Sequence, residues 1–338
     1  MTITELGAPG SVTAPTGLAF ERPVERSLVH RRSVTEVFVT DAAQISENTF
    51  AVAAQLPRAH RYFTDHLVRP ALVDPLLILE CCRQAATTVA HAYLGVAADS
   101  AFLVTRWGTR LDRPDALVAG DEEPDELALQ VGARDVKVRN GRVMAASLDM
   151  ELFLRGSWIG SSTVSAGYLQ AGRYADYRAL RRSTPPPLSA ALPRERPADL
   201  APSGSVGRHL AENVVLADAS AGPGGAQARL DAAAHNLSLY DHPLDHVPAM
   251  ALLEAARQAA VFAAGQGDVA DGWYATGLEA EFGRFVELDA TTRVTARPSS
   301  TSGTVSGPSF TVEFRQHDDT VCTAEVVLAS LPREGGRR

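Results

Sequence analysis

Asp74-Pro75-Leu76-Leu77-Ile78-Leu79-Glu80-Cys81-Cys82-Arg83-Gln84-Ala85 opens a stretch that stays apolar as far as Leu94 and is closed by Gly95. It reads as one long helix, with Asp74 as N-cap, Pro75 as first helical residue and Gly95 as terminator. Leu76, Leu77, Ile78, Leu79, Val89, Ala90 and Tyr93 point in every direction. A helix apolar all round belongs at the centre of a domain. Glu80 and Arg83 are therefore out of place, because a carboxylate and a guanidinium in such a helix are costly unless something uses them. The same arrangement returns as Glu254-Ala255-Ala256-Arg257-Gln258-Ala259, in a helix expected from Pro248 to about Gln266.

The repetition extends beyond the helices. Asp65-His66 precedes the first and Asp241-His242 the second, and His60 has a loose counterpart in His235. Further upstream, Glu36-Val37-Phe38-Val39-Thr40-Asp41 corresponds to Asn213-Val214-Val215-Leu216-Ala217-Asp218. The offset from Glu80 to Glu254 is 174 residues, so the unit is domain-sized, and 338 residues leave room for two such units with their own cores.

Around each helix the pattern alternates as strands do. Strands are expected near Ser33–Thr40, Thr49–Leu56, Ala101–Arg106, Glu126–Arg139, Arg142–Leu154 and Ser157–Tyr168, with Asn140-Gly141 as a hairpin turn. A short helix around Ala175–Arg182 ends the first half. The second half repeats the order, with strands near Tyr274–Phe282, Thr291–Ala296, Ser309–Gln316 and Thr320–Leu328 and a turn at Asp318-Asp319. The resulting organisation is a flexible tail over 1–26, a first domain over 27–182, a Pro-rich linker over 183–207 and a second domain over 208–331, with a loose end at Pro332–Arg338. One long buried helix wrapped by an antiparallel sheet, twice over, is an α+β pattern.

Composition narrows the function. With 32 basic and 40 acidic residues the formal net charge is −8, and without a basic tract nucleic acid is not an expected partner. Lys137 is the only lysine, so nearly every cation is an arginine, the better fork for phosphate or carboxylate. Cys81 and Cys82 are adjacent in a helix, where a disulfide between them would be strained, and a reduced, cytoplasmic compartment is expected. Neither a signal segment nor a membrane span is expected. The nine histidines show no metal-ligand spacing. The absence of a Gly-rich phosphate loop or a nucleophile elbow points away from metal, bound cofactor and covalent serine chemistry.

A buried helix entered through a proline, with an acid some fifteen residues after a histidine, resembles the hot-dog fold of acyl-thioester enzymes. More narrowly, the run from Asp241-His242-Pro243-Leu244-Asp245-His246 through Pro248 to Ala259 resembles the A-factor biosynthesis (AfsA-type) family. So do Val52-Ala53-Ala54-Gln55-Leu56-Pro57-Arg58-Ala59-His60 and Tyr177-Arg178-Ala179-Leu180-Arg181. The similarity runs from about Leu28 to Ala329. It departs at Pro248-Ala249, where the family has Pro-Gly and a closer backbone approach. The resemblance implies a tandem (double) hot-dog fold. It also implies transfer of a β-ketoacyl group from an acyl-carrier-protein or CoA thioester to the hydroxyl of dihydroxyacetone phosphate, giving an ester that can cyclise toward a butenolide. The competing readings are a dehydratase or thioesterase, or a non-catalytic sensor of acyl ligands.

On this reading Glu80 and Glu254 are candidate bases, their pKa raised by desolvation, or else partners that only fix Arg83 and Arg257 three residues on. Arg257, and Arg83 with it, could hold the acceptor phosphate or serve as a structural ion pair. His66 lies fourteen residues before Glu80, the spacing of hot-dog dehydratases, and His242 lies twelve before Glu254. Together with Asp241 these histidines are candidates for substrate contact or proton transfer. The N-terminus of either helix offers free N–H groups to a thioester carbonyl. His91 reads as a satisfied helix histidine, and His246, with Asp245, faces the helix entrance.

Overall fold

The computed structural model describes residues 13–120, 123–270, 272–300 and 307–330. The first repeat contains β1 (Val39–Ser46), β2 (Thr49–Leu56), α1 (Pro75–Ala92), β3 (Ala101–Leu111), β4 (Asp125–Arg139), β5 (Arg142–Leu154) and β6 (Ser157–Leu169). A short helix, α2 (Ala171–Ala179), leads out of it. The second repeat contains β7 (Leu216–Gly222), β8 (Gly225–Leu230), α3 (Ala249–Ala264), β9 (Trp273–Phe282), β10 (Thr292–Ser299), β11 (Ser309–Gln316) and β12 (Asp319–Ser330).

All twelve strands form one sheet in the order β1-β2-β4-β5-β6-β3-β9-β12-β11-β10-β8-β7. Read from either edge, the order is the same once the second repeat is renumbered from the first, which is the signature of a pseudo-twofold axis. That axis passes through the antiparallel β3–β9 pair, whose register runs from Arg106↔Glu281 to Arg110↔Gly277. Each half of the sheet curls around its own helix, and α1 and α3 touch each other. Both helices are buried along almost their whole length, as their all-round apolar sequences require. The architecture is a double hot-dog of α+β class.

Local chemistry explains where the elements start. Asp74 caps α1 by accepting from the Leu76 N–H at 2.8 Å. Asn140 and Gly141 both take positive φ, the geometry of the tight β4–β5 turn. The strand expected over Ser33–Thr40 starts only at Val39, after a 3-10 turn at Val34–Glu36. The reason lies in the helix: the Gln84 side chain accepts from the Phe38 N–H at 2.8 Å and donates to the Glu36 carbonyl at 2.7 Å, replacing a strand neighbour. Gln258 treats Val215 and Asn213 the same way. This is the structural work of the glutamine in each Glu-x-x-Arg-Gln motif.

Three further expectations shift. The turn expected at Asp318-Asp319 is formed by His317-Asp318, with His317 at positive φ, because Gln316 pairs with Asp319. The helix expected over Ala175–Arg182 lies at Ala171–Ala179. The Pro-rich 183–207 segment is packed rather than free: Ser189 donates to the Leu244 carbonyl, Ala201 to that of Leu216, and Val206 is buried. Of the expected N-terminal tail, residues 1–12 lie outside the described residues. The part that follows is tied to β1 through Val24 N–H to the Val39 carbonyl and Ala19 N–H to Asp41. The C-terminal end at 332–338 also lies outside the described residues.

Candidate active site

The two Glu-x-x-Arg-Gln motifs build the same cluster twice. Glu80, fully buried, accepts from Arg83 Nε at 2.9 Å and Nη2 at 2.7 Å, from Gln84 at 2.7 Å, and from Arg31 Nε at 3.1 Å. Glu254, equally buried, accepts from Arg257 Nε at 2.9 Å and Nη2 at 2.7 Å, from Gln258, and from Arg208 Nε at 3.0 Å. The Asp of each Asp-His pair crosses to the other repeat and holds the backbone just past its arginine. Asp241 accepts from the Arg32 and Ser33 N–H groups at 2.6 and 3.1 Å, and Asp65 from those of His209 and Leu210, each at 3.1 Å.

From this shared frame the copies diverge. In the second, Arg208 has no exposed surface; its Nη1 donates to the Tyr62 carbonyl at 2.8 Å and reaches Asp74 at 3.3 Å, with the guanidinium over the Tyr62 ring. Asp74 both caps α1 and holds Arg208, so that site is sealed. In the first copy the residue opposite is Pro248, which offers no side-chain cap. The N–H groups of Ala249 and Met250 have no partner among the described residues. Neither does Nη1 of Arg31 or of Arg83.

These unspent donors face a cavity of about 1340 Å³ between the repeats. His30, Arg31 and Arg83 line it from the first repeat, and Asp241, His242 and Ala249 from the second. Phe102, Trp107, Leu148, Val164 and Tyr168 give it an apolar wall. Tyr174, Arg178 and Arg181, from α2 and the turn after it, line it too, with Asp245 and His246.

The candidate residues thus fall into two places. Arg83, Asp241 and His242 meet at the open cavity, with Glu80 directly behind Arg83. Glu254, Arg257 and His66 belong to the sealed copy and do not line the cavity. Arg257 spends Nε and Nη2 on Glu254 as Arg83 does on Glu80, but it is buried and does not line the cavity, so a phosphate in the cavity does not reach it. His66 Nε2 donates to the Leu72 carbonyl at 2.8 Å, and its pKa is lowered, first by burial and then by the cations Arg208 and Arg257, against the pull of Asp74. It is a neutral core histidine.

The expected raised carboxyl pKa is also corrected. Burial pushes Glu80 up, but the charges of Arg31 and Arg83 and the hydrogen bonds from Arg83 and Gln84 more than offset it and bring it down to about 2. Glu254 behaves alike, with Arg208 and Arg257 overcoming burial to hold it at about 2. Both are anions at neutral pH with their lone pairs engaged, suited to positioning arginines rather than accepting protons.

Arg31, Arg208 and His30 were not singled out from the sequence. A signal existed: the strand match sets Glu36 against Asn213, and carrying it back five residues sets Arg31 against Arg208 and His30 against Gly207. His30 adopts φ 51, a left-handed conformation natural for its twin Gly207 at φ 75 but uncommon for a side-chain-bearing residue. Its ring lines the cavity and contacts His91 Nε2 at 2.8 Å. Burial, then His91, Arg83 and His242, hold its pKa down to about 4.

Two helices in one sheet, with one open and one sealed copy of a Glu–Arg–Arg cluster, define a double hot-dog protein with a single cavity-facing site among the described residues. The chain belongs to the AfsA family, the A-factor biosynthesis hotdog domain, whose model matches residues 13–169 and 190–331. It is 36% identical over 276 residues to a 2-oxo-3-(phosphooxy)propyl 3-oxoalkanoate synthase of Streptomyces virginiae, covering 81% of this chain and 87% of the relative. A protein of the same name from Streptomyces griseus is 31% identical over 319 residues, covering 93% and 97%. Among solved structures, it is similar to the 12:0-ACP thioesterase from Umbellularia californica, at 10% identity over 86% of this chain and 100% of that one, with a TM-score of 0.47. It is also similar to the dehydratase domain of the CurF module of curacin polyketide synthase, at 13% identity over 87% and 98%, with a TM-score of 0.48.

Proposed function

We propose that the open site transfers a 3-oxoacyl group from a thioester to the free hydroxyl of dihydroxyacetone phosphate, the first step toward a γ-butyrolactone or related butenolide signal. The relatives' name describes such an ester: a 3-oxoalkanoate joined to a 2-oxo-3-(phosphooxy)propyl group, which is dihydroxyacetone phosphate less its hydroxyl group, whose oxygen becomes the ester oxygen. The observation that carries the reading is the pair of arginines whose Nη1 groups remain unspent in a cavity with an apolar wall. A phosphorylated acceptor calls for paired cations of this kind.

Arg31 and Arg83 hold the acceptor phosphate, and Glu80 is the positioning residue that fixes both forks. His242, with Asp241 at 3.5 Å from its Nδ1, donates to the acceptor from the facing wall. The thioester carbonyl meets the free N–H groups of Ala249 and Met250, where the positive end of α3 stabilises the developing oxyanion. The methyl of Ala249 sits where the family has glycine and narrows that approach. The donor arrives on the phosphopantetheine of an acyl carrier protein or on CoA, its acyl chain along the Phe102–Tyr168 wall. We place the reaction in the cytoplasm. All three cysteines are free, and no helix among the described residues is long and apolar enough to cross a membrane.

Mass spectrometry of products from a β-ketoacyl thioester, with and without dihydroxyacetone phosphate, tests the reaction. Ester should appear only with the acceptor, and thioester loss independent of it would overturn the reading. For the site, Arg83→Ala should raise the acceptor KM about 10- to 100-fold, the worth of a charge-assisted pair, with little effect on donor binding. Arg83→Lys should recover part of the loss, since a point charge does not replace the fork. Arg257→Ala, if folded, should leave the acceptor KM unchanged.

A further inference from the structure

Asp245-His246 forms a second Asp-His pair in the cavity wall, three residues before the uncapped start of α3 at Ala249. His246 Nδ1 lies 2.6 Å from Asp245 Oδ1, a closer pairing than that of Asp241 with His242. Asp245 is itself fixed from several sides. Tyr174 donates to Oδ1 at 2.7 Å, Arg178 Nε to Oδ2 at 2.9 Å, and Arg178 Nη2 to the main-chain carbonyl at 3.2 Å. Arg178, only 4% exposed, is anchored in turn by two hydrogen bonds to Glu287 and lies over the Phe285 ring. Phe285 also packs against the His246 imidazole with ring centroids 4.7 Å apart. The carboxylate stays ionised: burial opposes this, but hydrogen bonds from His246 and Tyr174 and the charge of Arg178 hold its pKa below the usual range.

Because Asp245 can only accept, it keeps the proton of neutral His246 on Nδ1 and leaves the Nε2 lone pair unprotonated. Nε2 has no partner among the described residues, and the residue lines the cavity. The sealed copy has no such pair: counting on from Asp65-His66 by the same distance reaches Arg69-Pro70, and Arg69 is turned onto the His66 and Val68 carbonyls.

We infer that His246 is the general base and acid of the acyl transfer, with Asp245, Tyr174 and Arg178 as its positioning residues. This rests on the transferase reading of the cavity. His246 Nε2 takes the proton of the acceptor hydroxyl as its oxygen bonds to the thioester carbonyl carbon. The tetrahedral intermediate then expels the thiolate, the C–S bond breaks, and the imidazolium returns the proton to sulfur. The products are ester and free thiol, with no oxidant or reductant needed. The geometry also gives a purpose to the Tyr177-Arg178-Ala179-Leu180-Arg181 stretch: α2 delivers the guanidinium that orients the dyad.

The test is steady-state kinetics of His246→Gln with donor and acceptor varied separately. Loss of general-base catalysis lowers kcat by roughly 10²–10⁴-fold with both KM values little changed. His246→Ala should regain part of its turnover with added imidazole, which a merely structural histidine would not show. Asp245→Asn, which favours the wrong tautomer, should lower kcat as well. A folded His246→Gln protein with near-normal kcat overturns the inference, and so does normal turnover by Asp245→Asn should the first variant fail to fold. Failure of the transferase reading is seen separately, in the wild-type protein, as thioester loss without acceptor.

Discussion

Replacing Arg208 with methionine is expected to cost about 3–5 kcal/mol of folding stability, the penalty for removing one partner of a buried ion cluster. Arg208 has no exposed surface and stands between Glu254, at 3.0 Å, and Asp74, at 3.3 Å. Methionine fills much of the same volume but leaves two carboxylates with Arg257 as the remaining close cation. Glu254→Gln should lose comparable stability, because the amide accepts poorly from two guanidinium groups. That departs from the reading of Glu254 as a candidate base, whose loss would slow the reaction more than weaken the fold. Arg31→Met, at the pseudo-equivalent position, should cost less, since the cavity lets water reach the vacated side of Glu80, but should raise the acceptor KM. Urea unfolding followed by circular dichroism checks the first claim; a change below about 1 kcal/mol for Arg208→Met would mean that the sealed cluster contributes little.

The contrast between these arginines marks the limit of what the chain discloses before it is folded. Both central helices are legible, because Asp74-Pro75 and Pro248 mark their starts and an unbroken apolar surface marks their burial. The β4–β5 hairpin is legible through Asn140-Gly141. The duplication was visible as well, and with it the positions of both glutamates. What could not be read is which copy opens onto the cavity. That depends on Asp74 facing Arg208 across 134 residues of chain, and on Pro248 offering nothing comparable to Arg31. The sign of the glutamate pKa shift failed for the same reason: desolvation is a property of the helix itself, whereas Arg31 and Arg208 arrive from distant segments. His246 looked like a loop residue beside a helix until α2 was seen to supply Tyr174 and Arg178 to its partner.

Acidification should unfold the protein steeply between about pH 4.5 and pH 2. Glu80 and Glu254 each have a folded pKa of about 2 against an ordinary value of 4.5. A depressed folded pKa gives stability that is fully present above the unfolded value and is lost as pH falls through the folded one. At about 1.4 kcal/mol per unit, the two shifts together contribute on the order of several kcal/mol. That is comparable to the whole stability of an ordinary domain, about 5–15 kcal/mol. Urea midpoints measured at pH 7, 4 and 3 should therefore fall progressively. In Glu254→Gln, already weaker at neutral pH, the fall should be shallower by about one proton, because one of the two titrating groups is gone. Equal midpoints at pH 7 and pH 3 would mean that the arginines do not hold the carboxylates as the hydrogen bonds indicate. Activity differs in one respect: with both glutamates ionised throughout the neutral range, neither contributes an inflection to turnover there.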